Sequence, residues 1–268
     1  MKNVLVIYYS QTGQLTEILR NFLLPISADS HVDYVEIKTP CYTFPLTWTS
    51  MFDMFPESVL QVPCEISYKL PEKRSYDTIV LGFQTWFLHL SLPMFTFSYT
   101  QDFSALIKHK KVYLIMDCRN CWRPAMEAME QRVLEIGGII KGRYVFGSAG
   151  GNLIGSISIL HWFFTGNKKL FSFPEPGVPE CEIKNAAKYG KILLNCFTCP
   201  SVVTYPYNKS KFISADIEQY VVKKFKWWAQ FIVKRNNKYR TIKLLIFRIW
   251  LLCTIIIISP VVAFLRNK

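Results

Sequence analysis

Residues 4–19, "VLVIYYSQTGQLTEIL", carry an uninterrupted apolar run straight into Ser-Gln-Thr-Gly. A continuous apolar run bounded by turn residues reads as a strand buried on both faces, as in parallel sheets. From Gln14 onward the apolar residues Leu15, Ile18, Leu19, Phe22 and Leu23 recur at helical spacing until Pro25. This predicts a helix over 14–24. Where a buried strand turns into a helix, free backbone N–H groups and the helix dipole favour an anion. Ser10 and Thr12 add hydroxyl donors, and Gly13 lets the backbone approach a ligand. The turn has neither the Gly-Lys-Ser/Thr of a triphosphate-binding loop nor a GxGxxG pattern. It therefore suits the phosphate of a cofactor monophosphate.

The same reading extends along the chain. Strands are predicted at 32–38, 78–83 ("TIVLGF"), 112–117 ("VYLIMD") and 143–147 ("RYVFG"), with helices at 123–136 and 180–194. Strands alternating with helices indicate an α/β fold, here a doubly wound five-stranded parallel sheet of order 2-1-3-4-5. Its ligand site lies off the carboxyl ends of the strands. Two segments exceed that minimal pattern. Residues 39–75 form a long, aromatic insert holding Tyr42, Phe44, Trp48, Phe52 and Phe55, and residues 150–164 are almost free of charge. Both read either as covers for the core or as walls of a pocket for an apolar ligand.

The charge is uneven. Of the net +13, residues 206–268 supply +11, from 13 Lys and Arg against Asp216 and Glu218. A basic segment can meet nucleic acid or anionic lipid, and the adjoining sequence decides between them. Residues 244–265 carry a single charge, Arg248, and the uncharged run 249–265 is 17 residues long. A membrane-spanning helix needs roughly 17–25 such residues, so the run is long enough to span and short enough to lie in the interface. Pro260 is a candidate break. Clustered cations around Trp227 and Trp228 favour an anionic cytoplasmic leaflet over nucleic acid. The expected organisation is a body over 1–205, a basic membrane-proximal segment over 206–243 and an apolar membrane-associated helix over 244–265. The body is expected to fold without the tail.

No secretory signal precedes the first strand, and eight Cys without one read as reduced thiols. The pairs Cys118–Cys121 and Cys196–Cys199 lie far apart with no zinc-ribbon pattern around them, so no metal is expected.

The opening turn resembles the first loop of flavodoxins and related FMN proteins, Ser/Thr-x-Thr-Gly-x-Thr. Ser10, Thr12 and Gly13 match, while Leu15 stands where the last Thr is usual. A second loop, "GFQTWFLHLSLP" at 82–93, resembles the family's ring-stacking loop, with Trp86 in the stacking place. A third, "DCRNCW" at 117–122, stands where the family closes over the ring. The resemblance implies FMN as cofactor, held by Ser10, Gln11, Thr12, Gly13, Gln14 and Leu15, by Gln84, Thr85, Trp86 and Phe87, and by Asp117, Cys118, Arg119 and Asn120.

Together with "YTFPLTWTSMFDMFPE" at 42–57, these loops are most similar to the bacterial dialkylresorcinol-condensing enzyme family of flexirubin-type pigment synthesis. That implies an oxidoreductase aromatising a dialkylcyclohexanedione made by a partner ketosynthase. His89 is the candidate base, and Trp48, Phe52, Phe55 and His161 are the expected substrate-pocket wall. An NAD(P)H-dependent quinone or flavin reductase and an electron-carrier flavodoxin are the alternatives, and a homodimer is left open.

Overall fold

A computed structural model describes residues 2–72, 75–119, 121–147, 152–196, 203–205, 215–233 and 239–266. Side chains of residues 2, 152–153, 192–196, 203–205 and 255–266 are outside that description.

The core is a parallel sheet of β1 (Lys2–Tyr8), β2 (Ser30–Glu36), β3 (Thr78–Trp86), β5 (Lys111–Cys118), β6 (Ile139–Gly147) and β7 (Val203–Tyr205), in the order β2-β1-β3-β5-β6-β7. The five expected strands are present in the expected order. A sixth, three-residue strand pairs with β6 on the outer edge, and the two-residue β4 (His89–Leu90) turns back on the end of β3. The count of five is therefore corrected. Both additions are too short to leave a periodic signal in sequence.

Alternation along the strands divides the core into two faces. Val4, Val6 and Tyr8 pack beneath α1 (Gln14–Leu23) and α7 (Glu180–Cys196), with Leu15, Ile18, Leu19 and Phe22 fully buried. The two helices cross so closely that a Cβ on Gly190 would overlap the Phe22 carbonyl. Leu5 and Ile7 face the other layer, built with α3 (Leu92–Ser98), α4 (Gln101–Ile107) and α5 (Arg123–Glu135).

The insert forms α2 (Trp48–Leu60), started by a capping box in which Thr47 Oγ1 accepts from the Ser50 backbone N–H. The apolar segment after β6 forms α6 (Asn152–Thr165).

The tail forms α8 (Ala215–Val233) and α9 (Arg240–Arg266). Phe225, Trp228, Ala229 and Ile232 from α8 and Leu244 and Phe247 from α9 close over Phe52, Phe55 and Val59 of α2 and over Leu88. Glu218 of α8, with no side-chain exposure, accepts from the Trp122 backbone N–H and pairs with Arg123 at 3.0 Å. Arg240 pairs with Glu57 at 2.8 Å. The tail thus buries one side of the aromatic insert. α9 runs through Pro260 without a break. Among the described residues, no helix is long and apolar enough to cross a membrane.

Candidate functional site

Three loops leave the carboxyl ends of neighbouring strands and meet at one cleft. They follow β1, β3 and β5, which is where a doubly wound sheet places its ligand. The cleft holds about 270 Å³. Its polar side is made by Gln11, Thr12, Gln84, Thr85, Asp117 and Arg119.

Gln84 joins the three loops. Its Oε1 accepts from the Gln11 backbone N–H at 2.9 Å, and its Nε2 donates to Asp117 Oδ2 at 3.1 Å. Asp117 Oδ1, Gln11 Nε2 and Ser10 Oγ are buried with no hydrogen-bond partner among the described residues. Buried polar atoms are nearly always satisfied, so such a group points to a ligand. Burial pushes the Asp117 carboxyl up to about 7, against the opposing pull of the Gln84 hydrogen bond. Gly13 caps α1 at φ +82, a backbone conformation that L side chains avoid, and a Cβ there would meet nothing within 4 Å. The backbone at the start of α1 is thus bare toward the space a bound anion would occupy.

The apolar side comes from Met51 and Met54 of α2, Trp86 at the end of β3 with Phe87 and Leu88 after it, and Ile159, Trp162 and Phe163 of α6. Trp86 is held edge-on by Tyr9 and Tyr42 at 5.6 and 5.3 Å. Phe87 and Leu88 form the β3–β4 turn at φ +47 and +67, which bulky residues adopt only under tertiary constraint. That constraint is visible: Phe55 and Phe225 clamp Phe87, and Leu88 is packed beneath the tail.

The expected site residues divide clearly. Gln11, Thr12, Gln84, Thr85, Trp86, Phe87, Asp117, Cys118 and Arg119 line the cleft together. Gln14 lines it too, but its amide is committed to the Val178 backbone in both directions, at 2.8 and 3.1 Å. Leu15 is a core residue against the sheet, which removes it from the cofactor contacts. Asn120 is outside the described residues.

Phe52 and Phe55 are corrected from pocket wall to tail interface. Phe55 stacks on Phe247 at 3.8 Å and Phe52 packs edge-on to the same ring. Trp48 is 49% exposed and stacks on Phe52 and Phe164. His161 and His89 are not lining residues either. The His89 Nδ1–H donates to the Phe87 carbonyl at 2.8 Å, and burial lowers its pKa.

Met51 and Met54 lie one helical step from Phe52 and Phe55, and the sequence reading passes over them. Ile159, Trp162 and Phe163 share one face of α6 at i, i+3, i+4, a signal present in "ISILHWFF". Cys121, inside the "DCRNCW" loop, completes the lining with Gly177 and Val178, which nothing in their local sequence marks. Burial raises both cleft thiols, Cys121 to about 12 and Cys118 well above its ordinary value, so neither is a thiolate at neutral pH. Among the described residues, no group of His, Cys, Asp and Glu could hold a metal.

No family model and no curated protein matches the chain. Solved structures do. A flavoprotein in complex with FMN from Lactobacillus acidophilus aligns at 17% identity and TM-score 0.42, covering 55% of this chain and 91% of that one. Oxidised flavodoxin 1 from Bacillus cereus aligns at 14% and 0.41, over 72% and 98%. FMN-bound flavodoxin from Fusobacterium nucleatum aligns at 10% and 0.34, over 87% and 98%.

Proposed function

We propose that the cleft binds FMN and that the chain is a flavin-dependent oxidoreductase acting on an apolar ring compound. One observation carries the reading: unsatisfied buried polar atoms on the loops after β1 and β5 converge, through Gln84, on one cleft with an aromatic wall. Ser10, Gln11, Thr12 and the bare backbone at Gly13 would hold the phosphate. Gln84, Trp86, Phe87 and Asp117 would border the ring. The specific reaction we assign is aromatisation of a dialkylcyclohexanedione to a dialkylresorcinol, supported by the loop resemblance and by the paired carboxyl and apolar wall.

FMN, when bound, would supply a two-electron acceptor for a hydride from a ring carbon. The substrate must also lose a proton. Asp117, ionised above about pH 7, can take it at Oδ1 while Gln84 holds Oδ2. This moves the base from His89, which does not line the cleft. Met51, Met54, Ile159 and Phe163 would receive the alkyl chains and keep water from the ring. Each methylene buried there contributes about 0.8 kcal/mol, so shortening a chain by one carbon is expected to lower kcat/KM about fourfold until the chain no longer reaches the wall.

Adding FMN to the purified apoprotein should quench flavin fluorescence at micromolar concentration. No quenching would end the cofactor reading. Gly13→Val should weaken binding at least tenfold, because it strains the αL backbone and fills the space beside the α1 N-terminus. The reaction is tested by single turnover: flavin bleaching in step with resorcinol formation supports it. Bleaching by NADPH with reoxidation by a quinone, and none by the dione, would instead make the chain a quinone reductase.

A further inference from the structure

α8 and α9 each have two apolar faces, and the body covers only one of them. On α8, Phe225, Trp228, Ala229 and Ile232 are buried, while Tyr220, Trp227 and Phe231 are exposed. On α9, Leu244 and Phe247 are buried, while Ile242, Leu245, Ile246, Ile249 and Leu252 are exposed at i, i+3, i+4, i+7, i+10. Five aliphatic side chains in one helical stripe form a continuous apolar band, unlike the scattered exposed residues of an ordinary surface.

The charge in the cleft beside this band has one sign. A shallow cleft of about 590 Å³ between the helices is lined by Tyr220, Lys223, Lys224, Trp227, Trp228 and Trp250, with no carboxylate among them. Lys223, Lys224 and Lys226 are exposed. Of the tail's two acids, Glu218 is turned into the body against Arg123, Asp216 is exposed in the first turn of α8 outside the cleft lining, and α9 contains none. Trp227 is 56% exposed and lies parallel to Phe231 at 5.5 Å. Lysines beside exposed indole rings, next to an aliphatic stripe, match the layers of a bilayer surface: phosphate, headgroup level, acyl chain.

We propose that this outer face of α8 and α9 docks on the surface of an anionic lipid bilayer. The same helices hold Phe87 and Leu88 from their inner face, so docking would set the cleft close to the lipid. The proposal stands independently of the flavin reading, since its test reads no flavin.

The test is co-sedimentation of the full chain with phosphatidylcholine vesicles, with and without phosphatidylglycerol. Wild-type protein is expected to pellet with the anionic vesicles and to be partly released by salt. Lys223→Gln with Lys224→Gln should lower anionic partitioning on the order of 30-fold, about fivefold per lysine, and leave the thermal transition unchanged. Ile249→Ser with Trp227→Ser should lower binding to both vesicle types. If that pair fails to fold, the lysine pair still decides. Any of these results would overturn the proposal: wild type remaining in the supernatant with anionic vesicles, the lysine variant pelleting like wild type, or a solution dimer lost in the serine variant, which would give the face to a second copy. Displacement from vesicles by a short DNA duplex at equal phosphate would do the same in favour of nucleic acid.

Discussion

Asp117→Asn is expected to abolish turnover and, at pH 8, to make the folded chain more stable. Loss of a positioned proton acceptor typically lowers a rate by about 10²–10⁴-fold, and dione oxidation in single turnover should fall within that range. In the wild type the rate should rise with pH through about 7, as the carboxyl ionises. The stability effect has the opposite sense to most active-site losses. Below the ordinary carboxylate pKa both folded and unfolded states are protonated, and burial carries no charge penalty. As pH climbs from about 4 towards 7, the unfolded chain ionises and the folded one does not, so stability falls until the buried group ionises as well. At pH 8 the full penalty stands, on the order of 4 kcal/mol at 1.36 kcal/mol per pKa unit. Asparagine keeps an oxygen for Gln84 Nε2 and carries no charge. Urea unfolding at pH 8 should show the variant more stable, with the difference closing near pH 4. A variant that is no more stable at pH 8, or that turns over within threefold of wild type, removes Asp117 from the role of buried proton acceptor.

Phe55→Ala should lower stability by about 3–5 kcal/mol, the range for a fully buried aromatic. Phe55 is enclosed by Phe87, Phe225 and Phe247, drawn from the insert-facing turn and both tail helices. Removing it opens a cavity that no single element can close. Against a typical total of about 5–15 kcal/mol, that is a large share. FMN affinity should fall as well, because the strained Phe87–Leu88 turn loses its support. Trp48→Ala, half exposed on the same helix, should cost about 1 kcal/mol or less and leave affinity unchanged. Equal effects of the two substitutions on denaturant midpoint would contradict the packing described.

The sheet and the polar half of the site are legible in the sequence because they depend on short-range pattern. The run at β1, the hydroxyls and glycine at its turn, and the loops after β3 and β5 sit where strand order demands. The apolar half is not legible. An aromatic helix carries the same pattern whether its partner is a ligand or another helix. Sequence alone places Phe52 and Phe55 at the pocket; in the fold the tail takes that face and leaves Met51 and Met54 to the cleft. The loop pattern puts Leu15 at the cofactor, while its helical spacing with Ile18 and Leu19 already assigns it to the core. In sequence Asp117 is one of several loop residues. Only its place in the cleft beside Gln84 distinguishes it from His89, and that place is a property of the assembled fold.

The long-range packing of the tail also has a consequence for biosynthesis. Phe55 leaves the ribosome roughly 190 residues ahead of Phe247, the ring that covers it. At about 5–20 residues per second, that leaves the aromatic cluster of α2 uncovered for about 10–40 s in every round of translation. Glu218, which receives the Trp122 backbone N–H before α5, arrives late as well. The nascent chain therefore presents an adhesive aromatic surface throughout most of its elongation. Its yield in a cell should depend on what shields that surface until the last helix is released.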